Sequence, residues 1–223
     1  MKNLLKIVLI FISIAITYSC QKGDSYYYDY EKKEQLYEGT IYDYLINQKG
    51  SYDSLAIVLE RLPDLKDRLS NPDSTLTFFA INNRSFQLAI ENLNTARKAN
   101  KLDPIYLDEL DYLALDSITN RYIFNSEYPV SMFEGFSDGQ TIYSDKYGYS
   151  MQVLHSVLTS SGLVGGGQQQ LTFSDRNNSN YHRYWNSTVT SNVDLRTQNG
   201  IIHTLSPRHE FGFGKFTTYL STK

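Results

Sequence analysis

Apolar residues along this chain fall first into helical spacing and later into short alternating runs. Ile41, Tyr44 and Leu45 recur at i, i+3 and i+4, and Leu55, Val58, Leu59 and Leu62 repeat that spacing. This predicts amphipathic helices over Thr40 to Ile46 and Tyr52 to Leu62. Pro63 opens a further turn ending by Leu69, and Asn71-Pro72-Asp73-Ser74 reads as a loop. The run Leu76 to Ile81 has the length and aromatic content of a short buried strand. Asn82 or Asn83 suits the cap of the next helix, because an Asn side-chain oxygen can accept a free backbone N–H of the first turn. Phe86, Ile90 and Leu93 mark that helix's apolar face, and residues 97–104 read as a charged break. A further helix is expected from Tyr106 to Leu115, with Leu107, Leu110 and Leu113 facing inward.

Beyond Ser117 the pattern shortens. Strands are expected over Ile118 to Phe124, Val130 to Phe133, Thr141 to Tyr143, Met151 to Leu158, Leu171 to Phe173, Thr188 to Val193 and Ile201 to Leu205. Ser137-Asp138-Gly139, Gly165-Gly166-Gly167 and Asn199-Gly200 supply the turn chemistry between them. Helices first and strands later in one chain indicate an α+β domain.

The first twenty residues have a different character. Lys2 and Lys6 precede an apolar run from Ile7 to Ile16 that ends in Thr17-Tyr18-Ser19-Cys20. The run is about half of the ~20 apolar residues a spanning helix needs, so residues 1–19 read as an export signal. Cys20, the only cysteine, follows an approach that resembles a bacterial lipobox, although Thr17 stands where Leu is usual. That resemblance implies a thiol carrying acyl chains such as palmitate, and Cys20 as the lipid attachment point. The alternative is an ordinary secretory signal with Cys20 incidental. Residues 20–38, including Tyr26-Tyr27-Tyr28-Asp29-Tyr30, lack helical or strand period and read as a tether to a single domain over 39–223. Gln21 after the Cys is similar to outer-membrane sorting, and the acidic residues behind it resemble surface-export signals of the Bacteroidota type.

The mature part spans 204 residues, enough for one sizeable domain. Without Lys2 and Lys6 it holds 19 basic against 24 acidic residues, a net charge of −5, with no basic stripe. Nucleic acid is not expected as a partner. The 19 tyrosines combine an apolar ring with a polar tip, which favours recognition where they are exposed. His155, His182, His203 and His209 show neither His-x3-His spacing nor the adjoining Glu of a zinc site. No G-x-S-x-G elbow frames a serine, and Gly212-Phe213-Gly214-Lys215 lacks phosphate-loop spacing. No metal, cofactor or catalytic activity is expected.

Thr77-Phe78-Phe79-Ala80-Ile81-Asn82-Asn83-Arg84-Ser85-Phe86 resembles the first conserved box of fasciclin domains, and Asn199-Gly200-Ile201-Ile202-His203 resembles the second. The resemblance covers about Thr40 to Leu205 and implies helices packed on a wedge of two β-sheets. Three positions depart from the pattern: Ile81 replaces a proline, Ser206 replaces an aspartate, and Tyr122-Ile123 stands where many relatives carry Tyr-His. The missing histidine argues against integrin-like adhesion through that segment. In these boxes Asn83 and Phe86 read as a helix cap and a core plug. Gly200 supplies the positive φ of a tight Asn-Gly turn. His203 shares a face with Ile201 and Leu205, so a buried, hydrogen-bonded histidine is expected, with ligand binding as the alternative.

Rings and amides alternate between Gly162 and Asn186. Tyr181, Arg183, Tyr184 and Trp185 form a candidate ligand surface, because aromatic and Arg side chains concentrate binding energy. The competing expectation is a solvated hairpin with Trp185 in the core. Together these features lead to the expectation of an envelope lipoprotein, anchored to the outer membrane and surface-exposed, that serves adhesion or binds extracellular glycan or protein. The alternative is an accessory subunit docked on an outer-membrane nutrient-uptake complex.

Overall fold

The computed structural model of the chain describes residues 35–159 and 167–222. The export signal, Cys20, Gly165-Gly166 and the tether up to residue 34 lie outside the described residues.

Three short helices come first: α1 (Ile41–Asn47), α2 (Asp53–Arg61) and α3 (Pro63–Ser70). Thr40 caps α1 in a reciprocal box with Asp43, the arrangement that satisfies two otherwise free backbone donors. Strand β2 (Leu76–Ala80) is buried throughout and leads into α4 (Asn83–Ala99). Asn82 caps α4, its side chain accepting from the Ser85 N–H at 3.1 Å. Asn83 is therefore not the cap of its own helix. It lies at the first position of α4 and serves α2 instead, accepting the Ser54 N–H at 2.8 Å.

The expected helix from Tyr106 to Leu115 is displaced. Helix α5 runs over Tyr112–Thr119, capped by Asp111. The Arg61 guanidinium takes the Leu107 and Leu110 carbonyls at 2.6 and 2.5 Å, diverting groups that a helix there would need. Leu113 consequently points outward, 68% exposed, while Leu115 and Ile118 face the core. The strand expected over Ile118 to Phe124 is mostly helical as well. Side-chain bonds from Thr119 to the Leu115 carbonyl and from Asn120 to the Asp116 carbonyl extend the helical turn. A 3-10 turn over Asn120–Tyr122 follows, and only Ile123–Phe124 forms strand β3. Val130–Met132 is likewise a 3-10 turn rather than a strand. The charged break is shorter than expected, because Arg97 is buried in the last turn of α4 and donates to the Leu220 carbonyl at 2.9 Å.

The remaining strands are β4 (Gln140–Tyr143), β5 (Ser150–Val157), β6 (Gln169–Asp175), β7 (Asn186–Thr197) and β8 (Gly200–Leu205), followed by helix α6 (Lys215–Leu220). They form a path ordered β3-β2-β8-β7-β6-β5-β4. All pairs along it are antiparallel except β2 with β8. Two irregularities in the β7–β8 pairing, with Asp194 at φ 54°, bend β7 so that its two halves belong to two sheets. The result is a wedge of two sheets with helices packed against it, an α+β architecture. Strand β1 (Gln35–Leu36) pairs in parallel with Leu195 and Arg196, so regular pairing begins inside the segment assigned to the tether.

The parallel pair decides how the core closes. Leu76 aligns with Gly200 and Phe79 with His203, which makes the two sequence boxes neighbouring strands. Phe79 stacks on Phe173 with ring centroids 4.0 Å apart, joining this pair to β6. A β-carbon on Gly200 would lie 2.0 Å from the Leu76 carbonyl oxygen. Close strand approach, as much as turn geometry, therefore requires glycine there.

Candidate functional site

The box residues lie in the interior and at helix ends. Phe86 is buried against Phe211, ring centroids 4.4 Å apart. The Asn199 side chain is buried and joins three segments: it accepts the Ile41 N–H at 2.8 Å and donates to the Leu69 and Asn71 carbonyls at 3.0 Å each. His203 is fully buried, with Nε2 2.9 Å from the Tyr128 carbonyl oxygen and Nδ1 accepting the Asp194 N–H at 3.3 Å. These bonds fix the proton on Nε2, and burial pushes the imidazole pKa down, so the ring is neutral. Asp194 in turn accepts the Val130 N–H at 2.9 Å.

Tyr122 is also interior. Its hydroxyl accepts the Gly212 N–H at 2.7 Å and lies 2.8 Å from His209 Nε2. The single hydroxyl proton has no other acceptor there, so it is donated to His209 and the imidazole carries its own proton on Nδ1. Burial lowers the His209 pKa to about 3, in keeping with a neutral ring. The sequence did not single out this pair. Its signal was Tyr122 without a following histidine, whose histidine partner comes from far along the chain.

The segment after β6 builds the exposed surface. Asp175 is buried and paired with Arg121 at 2.8 Å, and it also accepts the Asn177 N–H at 2.8 Å. Asn177 and Asn178 take left-handed φ values of 50° and 56°, reversing the chain. Asn177 donates to the Tyr184 carbonyl at 2.7 Å, and the Trp185 indole N–H donates to the Ser179 carbonyl at 2.8 Å. The indole is half-buried, with the His182 ring 4.1 Å away and the Arg176 guanidinium 5.3 Å away. Trp185 thus holds the loop to itself and separates from the other three predicted surface residues.

Those three stand on the rim, carried by a 3-10 turn over His182–Tyr184. Tyr181 is 67% exposed and Tyr184 52% exposed, with their rings edge to face at 6.4 Å. The Arg183 guanidinium lies 5.5 Å from the first ring and 4.7 Å from the second. Exposed cation–π contacts contribute about 0.5–1 kcal/mol each, enough to bias side chains that would otherwise be mobile. The rim therefore presents two rings and a cation already arranged for contact. Residues 160–166, the glycine-rich part of the same candidate segment, lie outside the described residues. Among the described residues no cluster of three or more His, Cys, Asp or Glu could hold a metal.

No protein-family model matches this sequence, and no curated protein matches it. The solved structures do contain a match: a FAS1 domain pair from the insect cell adhesion molecule fasciclin I. The TM-score is 0.53 at 17% sequence identity, over 80% of this chain and 52% of that one. The chain spans about half the length of that structure. What is shared is the fold, and the protein has a fasciclin-like α+β architecture.

Proposed function

We propose that this protein is a non-catalytic adhesion or capture module of the cell envelope, tethered by lipid on Cys20 and binding extracellular glycan or protein. The observation that carries the reading is the exposed Tyr181–Arg183–Tyr184 cluster, held at a turn whose backbone is fixed by Asn177 and Trp185. Aromatic and Arg side chains dominate binding surfaces because they bury much area at low entropy cost. The shared architecture with a structure from a cell adhesion molecule supports the same reading. The tether reading rests on the pattern around Cys20, and outer-membrane, surface-exposed placement rests on the residues that follow it.

The test compares the full chain with Cys20→Ala and with a Tyr181→Ser/Tyr184→Ser variant. Cys20→Ala is expected to move the protein from membrane to soluble fractions. The double variant is expected to lose adhesion to immobilised glycans or matrix proteins while keeping its melting temperature. Undiminished adhesion by the double variant counts against the rim. Adhesion absent even from the unmodified chain, with co-purification of an outer-membrane complex, would favour an accessory subunit instead.

A further inference from the structure

A groove of about 550 Å³ opens on the other side of Trp185, between β7, the segment after β8 and the approach to α6. Its volume falls within the ordinary range of ligand pockets, about 300–1,000 Å³. Val189, Phe213 and the Trp185 indole give it apolar surface. Asn186 bridges to the Phe213 carbonyl at 2.8 Å, fixing one wall to the other.

The polar groups there are incompletely used. His209 is 4% exposed, and its Nε2 is committed to Tyr122. The proton thus sits on Nδ1, which has no partner among the described residues, in a residue that lines the groove. Glu210 accepts from the Asn92 amide through Oε2 at 2.7 Å, while its other oxygen has no partner among the described residues. Arg208 is exposed, and its guanidinium has no partner among the described residues. One groove therefore offers a neutral N–H donor, a carboxylate acceptor and a cation beside apolar surface.

We propose that this groove binds a neutral saccharide unit, a site separate from the Tyr181–Arg183–Tyr184 rim. Hydroxyl groups both donate and accept, which is what a donor and a carboxylate in one groove require. An anionic ligand would meet Glu210, and a cationic one would meet Arg208. An extended peptide is disfavoured because it recognises a free strand edge. The groove-lining half of β7, Asn186–Val189, pairs with β6 on one side, and on the other the Ser206 N–H donates to the Val189 carbonyl at 2.8 Å and the Asn186 amide donates to the Phe213 carbonyl at 2.8 Å. Apolar surface beside the polar groups suits the C–H faces of a sugar ring.

Trp185 is the only tryptophan of the chain and lines the groove, so its fluorescence reports occupancy. The full-chain protein is titrated with maltose, cellobiose, lactose and N,N′-diacetylchitobiose, with glucuronic acid as the charged counter-probe. At least one neutral disaccharide is expected to give a saturable change at millimolar concentration. Glu210→Ala is expected to weaken that binding about tenfold or more, since hydrogen bonds to charged groups are the stronger ones. Arg208→Ala, at an exposed position, carries the same test should Glu210→Ala fail to fold. No response to any neutral disaccharide overturns the proposal, as does binding of glucuronic acid alone or undiminished affinity in the folded variants. Dependence on Glu210 and Arg208 reads this groove and not the rim, so its failure would leave the rim proposal standing.

Discussion

Tyr122→Phe tests how the interior of this protein is held. The substitution keeps the ring, which stacks on Phe213 at 5.7 Å with an interplanar angle of 10° and on Phe211 at 6.0 Å. Apolar burial is unchanged, and what disappears is one oxygen. That oxygen satisfies the Gly212 N–H at 2.7 Å and His209 Nε2 at 2.8 Å, both in the interior. Leaving a buried polar group without a partner costs about 1–3 kcal/mol, and two such groups cost roughly 2–6 kcal/mol. Relief of the hydroxyl's own desolvation brings the expected net loss to about 2–4 kcal/mol. For a domain of this size each kcal/mol lowers the melting temperature by about 2–4 °C, so the expected drop is on the order of 4–16 °C. Urea and thermal unfolding followed by circular dichroism measure it directly. An unfolding midpoint unchanged to within about 0.5 kcal/mol, with an unchanged slope, would refute the assignment of Tyr122 as the shared partner of both groups.

Arg121→Met should cost about 3–5 kcal/mol by leaving Asp175 buried without its cation, and Arg121→Met/Asp175→Asn should recover part of that loss; melting curves showing simple additivity would sink this. Gly200→Ala should cost about 4 kcal/mol or more or prevent folding, because the new β-carbon meets the Leu76 carbonyl; a soluble variant melting like the parent would contradict the strand register. His203 and His209 both have folded-state pKa values below the ordinary histidine value, the latter at about 3. The unfolded chain therefore binds their protons first, so stability is full above about pH 6.5 and falls as pH drops toward the folded value, by up to about 1.4 kcal/mol per pH unit for each ring. Urea midpoints at pH 7.0, 6.0 and 5.0 would check this, and a flat profile across that window would exclude buried neutral histidines.

Periodicity located α1, α2 and α4, and the aromatic run Leu76 to Ile81 located β2, because each buries one face or both and writes that burial into its spacing. The segment after Pro63, expected only as a turn, forms helix α3. The segments it misplaced were decided by side-chain bonds from elsewhere. Arg61 holds two carbonyls of the Tyr106 to Leu115 segment, and nothing in that segment reveals it. Asn120 and Thr119 hold their own backbone in a helical turn where the apolar run Ile118 to Phe124 suggests a strand. The loop carrying Tyr181, Arg183, Tyr184 and Trp185 was legible from its composition, but the division of labour within it was not. Three of the four reach the rim, and the fourth is tied down by Ser179, His182 and Arg176.

The sequence by itself determined the α+β class, the likeness to fasciclin boxes and the candidate rim, since local pattern, turn chemistry and residue type are properties of neighbours along the chain. Only the tertiary structure decided that β2 and β8 lie side by side, that Asn83 caps a helix other than its own, and that His209 completes the buried Tyr122. Those contacts join residues 29 to 124 positions apart. Their geometry follows from how strands and helices close around a shared core, which no local window of sequence contains.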